Sequence, residues 1–298
     1  MSLPNFRHLL PQTHVEETIR QYLSDDMPSF DVGGLVVGSK LKTATLYMKS
    51  SGVFAGKPFV DTVFRVVGGN CTVTWMDDVA NEGKYINVGH GEKVIMATVT
   101  GEVNALLRGE RTALNILSRC SGVATKCYEA VKVAKGLGWK GEVAGTRKTT
   151  PGFRMVEKYG LLVGGASTHR LDLSQMVMLK DNHIWSAGSI TAAVKLARTA
   201  AGFSQKIEVE CQNLEEAIEA AKAGADITML DNFQPEQLKI DANKLKAQFP
   251  HVIVEASGGI TIDTMGDYLC PDVDVVSQGS LTQGYSTIDF SLKIAHSK

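Results

Sequence analysis

The sequence predicts an α/β protein of two parts, and three observations carry that reading. The first hundred residues mix an amphipathic helix with short β-branched or aromatic runs, as an α+β unit would. From Glu142 onward, short apolar runs alternate with amphipathic segments, the βα rhythm of a parallel sheet or barrel. The 298 residues, 44% hydrophobic and 21% charged, suffice for one large domain or two unequal ones and are far too apolar for a disordered chain.

The elements follow in order. Thr13 and Glu16 have capping-box spacing, and Val15, Ile19 and Leu23 repeat at helical intervals until Asp25, Asp26 and Pro28 end the turn. Residues 45–49, 71–75 and 94–99 read as strands, with a helix-compatible stretch at 58–67. Residues 104–135 form a long helical stretch through Leu106, Leu107, Leu114 and Leu117, with a break expected near Ser121 and Gly122. Strands are then expected at 142–145, 176–179, 206–209, 226–230, 252–254 and 273–276, separated by amphipathic segments such as 190–200 and 214–223. The terminal segment 289–296 is expected to return to the first part.

Composition excludes several classes. Lys plus Arg is 31 and Asp plus Glu is 32, so the net charge of −1 supplies no basic field for nucleic acid. The five cysteines, Cys71, Cys120, Cys127, Cys211 and Cys270, are odd in number and lack a CxxC, which points away from a disulfide framework or a zinc site and toward a reducing compartment. Residues 1–12 hold no signal-peptide core, and no window approaches the ~18 apolar residues of a membrane span. The expectation is a soluble cytoplasmic protein, with nuclear presence allowed and no membrane partner.

In a βα barrel, chemistry sits at the C-terminal ends of the strands. There the sequence carries Arg147 and Lys148, then Lys180, Glu210, Asp231, the loop Ser257-Gly258-Gly259, and the loop Ser277-Gln278-Gly279; His169 and Arg170 lie in the connection between the first two strands. Each has a bland reading: the Arg-Lys pair as a solvated loop, the glycines as turns, Glu210 and Asp231 as helix caps. Lys180, at the end of an apolar run, reads as a desolvated lysine in need of a partner or a task. Glycine loops after the last two strands suit a terminal phosphate bound on backbone N–H groups. Two carboxylates suit a hydrated Mg²⁺ bridging to phosphates, and the cations suit a further anionic substrate. The residues alone also leave open a Schiff-base lyase acting through Lys180, or a phosphometabolite binder without turnover.

The motifs Gly145-Thr-Arg-Lys-Thr-Thr-Pro-Gly152, His169-Arg170, Lys180-Asp-Asn-His183, Glu208-Val-Glu210, Leu230-Asp-Asn232, Glu255-Ala-Ser-Gly-Gly-Ile260 and Glu110-Arg-Thr-Ala-Leu-Asn115 together resemble the quinolinate phosphoribosyltransferase family over nearly the whole chain. Lys180-Asp-Asn-His-Ile-Trp185 has a eukaryotic, fungal-like character. The resemblance implies an N-terminal α/β sandwich domain over 1–116, joined by 285–298, and an open, incomplete α/β barrel over 117–284. It implies homodimers, or hexamers built as trimers of dimers, with shared active sites. The implied reaction takes quinolinate and phosphoribosyl pyrophosphate to nicotinate mononucleotide, pyrophosphate and CO₂ with Mg²⁺, in de novo NAD biosynthesis. By similarity Arg111, Arg147, His169, Arg170 and Lys180 bind quinolinate, and Lys148 stands between the carboxylate and pyrophosphate regions. Lys148, Lys180, Glu210 and Asp231 are the implied catalytic group. Glu210 and Asp231 match the acids near ribose and metal, directly or through water, and Ser257, Gly258, Gly259 and Gly279 match the 5′-phosphate loops. Ser280 departs from the more apolar residue expected after Gly279.

Overall fold

The computed structural model describes residues 4–295; the end of the expected terminal segment, His296, lies outside the described residues. In chain order the first elements are α1 (Gln12–Asp26), α2 (Val32–Val37), β1 (Leu41–Met48), β2 (Gly52–Val53), α3 (Lys57–Val66), β3 (Thr72–Trp75), β4 (Tyr85–Ile86), β5 (Val94–Glu102) and α4 (Val103–Gly136). There follow β6 (Glu142–Ala144), α5 (Arg154–Val163), β7 (Val177–Leu179), α6 (Asp181–Ala187), α7 (Ile190–Ala201), β8 (Ile207–Cys211), α8 (Leu214–Ala223), β9 (Ile227–Asp231), α9 (Pro235–Gln248), β10 (Ile253–Ser257), α10 (Met265–Tyr268), β11 (Val275–Ser277) and β12 (Phe290–Ile294). The chain divides into two compact units: the first holds the chain through Lys126, Gly152–Gly165 and the segment from Tyr285, and the second holds Cys127–Pro151 and Ala166–Gly284.

The first unit is built on an antiparallel sheet ordered β12-β1-β5-β3, with β2 and β4 as a separate ribbon. Alternation along β1 buries Ala44, Leu46 and Met48 on one face. Helix α3 packs against α1 and β3 and buries Phe59, Val60, Val63 and Phe64, each worth ~1.5–3 kcal/mol relative to exposure. Its N-terminal N–H groups at Gly56 and Lys57 donate to Glu82 at 2.7 and 3.0 Å, a carboxylate at the positive end of the helix.

Two local expectations are corrected here. The first helix is entered from Pro11 with no side-chain cap, so Thr13 lies inside α1 and makes no capping box. Helix α4 runs unbroken for 34 residues through Ser121 and Gly122. Ser121 turns its hydroxyl onto the Ala55 backbone, donating to its carbonyl at 3.0 Å and accepting its N–H at 3.1 Å. A Cβ on Gly122 would stand 2.0 Å from the Ser286 carbonyl oxygen, so this glycine admits a neighbouring backbone and does not end the helix.

The second unit carries a six-stranded parallel sheet ordered β6-β11-β10-β9-β8-β7. The edges β6 and β7 do not pair with each other, so the barrel is open. Strands β8 and β9 are apolar over most of their length, as parallel strands covered on both sides should be. Ser189 caps α7 and Asn213 caps α8, and Pro235 opens α9, so each crossover helix starts cleanly after its loop. The register aligns the strand ends: Glu210 lies beside Met229, and Asp231 beside Ser257.

Candidate active site

The parallel register brings the C-terminal ends of β7, β8, β9 and β10 into one row, and that row carries Lys180, Glu210, Asp231 and Ser257. Lys180 pairs with Glu210 through Nζ and Oε2. The lysine has the partner it was expected to need, but it is not desolvated: its side chain is 44% exposed, because it stands at the N-cap of α6 where the strand opens to the rim. Asp231 is half-buried, and burial with the charge of Glu210 raises its pKa, against the opposing pull of Lys180 and Lys148. Neither acid is a helix cap, since Asn213 and Gln234 occupy those positions.

Past β6, the chain turns through Thr146, whose hydroxyl accepts the Lys148 N–H at 3.0 Å, while the Lys148 carbonyl accepts the Thr282 hydroxyl at 2.8 Å. Gly279 lies against this turn: a Cβ there would stand 3.1 Å from Lys148 Cδ and 2.9 Å from Gln283 Oε1. Ser280 falls in the short 3₁₀ turn Gly279–Leu281. After β10, Gly258 and Gly259 have φ of 100° and 64°, a left-handed path closed to most side chains. A Cβ on Gly258 would sit 2.5 Å from the Asn232 nitrogen, whereas the space around Gly259 is open.

Arg147 is half-buried, with its Nε shielded from solvent and unpartnered among the described residues. Arg170 is buried; burial and the neighbouring Arg147 charge lower its pKa, and Glu208 opposes them. His169 has a left-handed backbone, φ 55°, and both ring nitrogens are engaged: Nε2 lies 3.1 Å from Glu255 Oε2, and Nδ1 accepts the Arg170 N–H at 2.9 Å. Arg111 is exposed on α4 in the first unit and is not part of this row. Glu208 and Glu255 went unassigned in the sequence reading, although their spacing, two residues before Glu210 and Ser257, was the available signal.

A cavity of about 1310 Å³ lies in the same unit, lined by Ile227, Ile253 and Val275 at the starts of their strands and reaching Glu255, His169 and Arg170. The rim is the better candidate, because convergent charges and glycine loops gather there, at the end of the sheet that carries chemistry in this architecture.

Comparison with known proteins agrees with this fold. Residues 31–121 match the N-terminal domain of quinolinate phosphoribosyl transferase, and residues 123–293 its C-terminal domain. The chain is 50% identical over 297 residues to a carboxylating nicotinate-nucleotide pyrophosphorylase of Dictyostelium discoideum, covering 96% of this chain and 97% of that one. It is 50% identical over 286 residues to the enzyme of that name from Homo sapiens, covering 96% and 93%. The solved structure of NadC from Streptococcus pyogenes superposes with a TM-score of 0.86 at 34% identity, over 97% of this chain and 99% of that one. With both of its parts matched in order along one polypeptide, the chain belongs to the quinolinate phosphoribosyltransferase family.

Proposed function

We propose that the strand-end rim of the second unit is the site of the family's reaction. The chain transfers phosphoribosyl from phosphoribosyl pyrophosphate to quinolinate with decarboxylation, giving nicotinate mononucleotide, pyrophosphate and CO₂ in NAD biosynthesis. The observation that carries the site reading is the sorting of charge along one row: cations at Arg147, Lys148, Arg170 and Lys180, acids at Glu210 and Asp231, and open glycine backbone at Ser257-Gly258-Gly259. Arg147, Arg170 and Lys180 hold the quinolinate carboxylates, with His169 beside them. Ser257, Gly258, Gly259 and Gly279 present the backbone that receives the 5′-phosphate.

The two acids fit a magnesium ion, since both are hard oxygen donors and the rim leaves them partly accessible. Glu210 and Asp231 would hold such an ion, directly or through water, and it would supply neutralisation of the charge on the pyrophosphate of the co-substrate. As the pyrophosphate departs, positive charge grows on the anomeric carbon, and the Glu210 and Asp231 carboxylates stabilise it while Lys148 meets the leaving oxygens. The pyridine nitrogen closes on the ribose from the cationic side. Arg147 and Arg170 then hold the ring in place while the carboxylate next to the pyridinium nitrogen leaves as CO₂; the bonding electrons stay on the ring carbon beside the pyridinium nitrogen, which then takes a proton from water. No protein nucleophile takes part, which separates this reading from a lyase using Lys180 as an imine-forming amine.

Arg111 works across a two-fold interface in a homodimer or a trimer of dimers, and the enzyme operates in the cytoplasm, with nuclear presence allowed. Among the described residues no helix is long and apolar enough to cross a membrane. The test is a comparison of acceptors, with CO₂ and pyrophosphate both measured. Quinolinate should be used and nicotinate should not, because loss of the second carboxylate removes its charge-assisted hydrogen bonds to the cations of the acceptor half. Similar kcat/KM for the two acceptors would falsify the assignment.

A further inference from the structure

Below the rim stands a second tier of charge that the reaction, as assigned above, does not use. Side chains alternate along a strand, so Glu208 shares the face of Glu210, and Glu255 the face of Ser257, each one step deeper. Glu208 is 0% and Glu255 1% exposed. Neither Glu208 carboxylate oxygen has a hydrogen-bond partner among the described residues, nor does Glu255 Oε1. Carboxylates this deep are costly unless something offsets their charge.

The groups that face them lie on one side. His169 Nε2 is 3.1 Å from Glu255 Oε2 and 3.6 Å from Glu208 Oε2. The far nitrogen of the same ring accepts the Arg170 N–H, so the imidazole links Glu255 to the backbone of an arginine in the acceptor half, with Glu208 beside it. His169 also has a left-handed backbone, unusual for a residue other than glycine. Arg170 also feels the Glu208 charge directly, which counters the repulsion from Arg147.

Two states of the ring are in competition. Burial alone disfavours the charged ring, but Glu208 and Glu255 outweigh it and push the pKa up to about 10. An imidazolium has no lone pair with which to accept the Arg170 N–H at Nδ1. The directed 2.9 Å hydrogen bond selects the ring with its proton on Nε2, facing the glutamates. The same bond argues against a metal ion among these three residues, whose ligand atoms lie within 4.8 Å of one another. A metal on Nε2 would require the proton on Nδ1, against the Arg170 N–H.

We propose that Glu255 is a positioning residue for the acceptor half of the site, holding Arg170 in place through the His169 ring. On this view His169 is itself a positioning residue, with both nitrogens committed to the protein. The inference rests on the assignment of Arg170 to quinolinate binding.

The experiment measures KM for quinolinate and for phosphoribosyl pyrophosphate separately, on the full-length enzyme, for Glu255→Ala, Glu255→Gln, His169→Asn and Arg170→Ala. Glu255→Ala should raise the quinolinate KM about tenfold or more and leave the other KM within about twofold. Glu255→Gln, which still offers an acceptor oxygen, should recover most of the loss. If Glu255→Ala does not fold, His169→Asn carries the test: asparagine tolerates a left-handed φ, so this variant removes the ring while keeping the backbone path. A quinolinate KM that is unchanged in the folded variants, or that rises in step with the phosphoribosyl pyrophosphate KM, overturns the proposal while a selective effect of Arg170→Ala keeps the site reading intact. If Arg170→Ala has no effect on quinolinate, the site reading fails and this inference fails with it.

Discussion

Gly258 and Gly259 are adjacent and both left-handed, yet the structure gives them different work. A side chain at Gly258 would collide with Asn232, so that glycine protects the join between two strand-end loops, whereas, its chain neighbours aside, nothing among the described residues stands within 4 Å of a Cβ at Gly259. On the proposed site reading, the open space beside Gly259 is the room the 5′-phosphate takes. Gly259→Val should raise the phosphoribosyl pyrophosphate KM about tenfold or more by blocking close backbone approach, with the quinolinate KM within about twofold. Part of any stability change is conformational, since a left-handed φ costs a side-chain-bearing residue ~1–2 kcal/mol. Calorimetry of each substrate checks the split, and a selective loss of quinolinate binding would reverse the map of the rim. The rim itself was legible in the sequence, because strand ends are where this architecture exposes polar groups, and each end carried one. The tier below was not: Glu208 and Glu255 lie within strands, and only the folded register reveals that they face His169 from two different strands.

At the scale of elements, α3 begins on a carboxylate that arrives from the loop before β4. Glu82 accepts N–H groups from Gly56 and Lys57 and the Tyr159 hydroxyl at 2.5 Å. Burial is the largest influence on its pKa and raises it above 4.5, outweighing those three hydrogen bonds and the Lys57 charge. A carboxyl whose folded pKa is raised contributes stability that is complete below its unfolded pKa and is lost as pH rises through the folded one. Glu82→Gln removes that titration and weakens the cap, at a cost of about 1–3 kcal/mol. The gap between wild type and variant should be wider at pH 5 than at pH 7 in urea unfolding, and a gap that widens with rising pH would contradict the assignment. Sequence reasoning found α3 and the parallel strands from their periodicity, but neither this cap nor the continuity of α4. Both depend on residues distant in sequence: Glu82 for the first, Ala55 and Ser286 for the second. Helix α6 was missed for a local reason, since Lys180-Asp-Asn-His reads as a polar loop, and the helix is a short one of 7 residues starting directly at the strand end.

At the scale of the whole molecule, one implied substrate ligand belongs to a different unit from the rest. Lys148, Lys180, Glu210, Asp231 and the glycine loops all belong to the second unit, whereas Arg111 belongs to the first, exposed on α4 beside a small cavity lined by Tyr22, Asp25 and Asp26. A two-fold dimer in which each chain lends Arg111 to its neighbour gives that exposed guanidinium a task, and a homodimer is the smallest assembly that can supply it. Arg111→Ala and Lys180→Ala should each be inactive alone. Mixed under conditions that exchange subunits, about half of the dimers pair one of each, and every mixed dimer holds one intact site and one doubly damaged site. Activity should then recover to about a quarter of wild type. If Arg111 instead serves its own chain, every site in every dimer carries one substitution and no activity returns. Subunit exchange verified by mass spectrometry, with no recovery, would therefore rule out the shared site and leave Arg111 as a ligand within its own chain or as a surface charge.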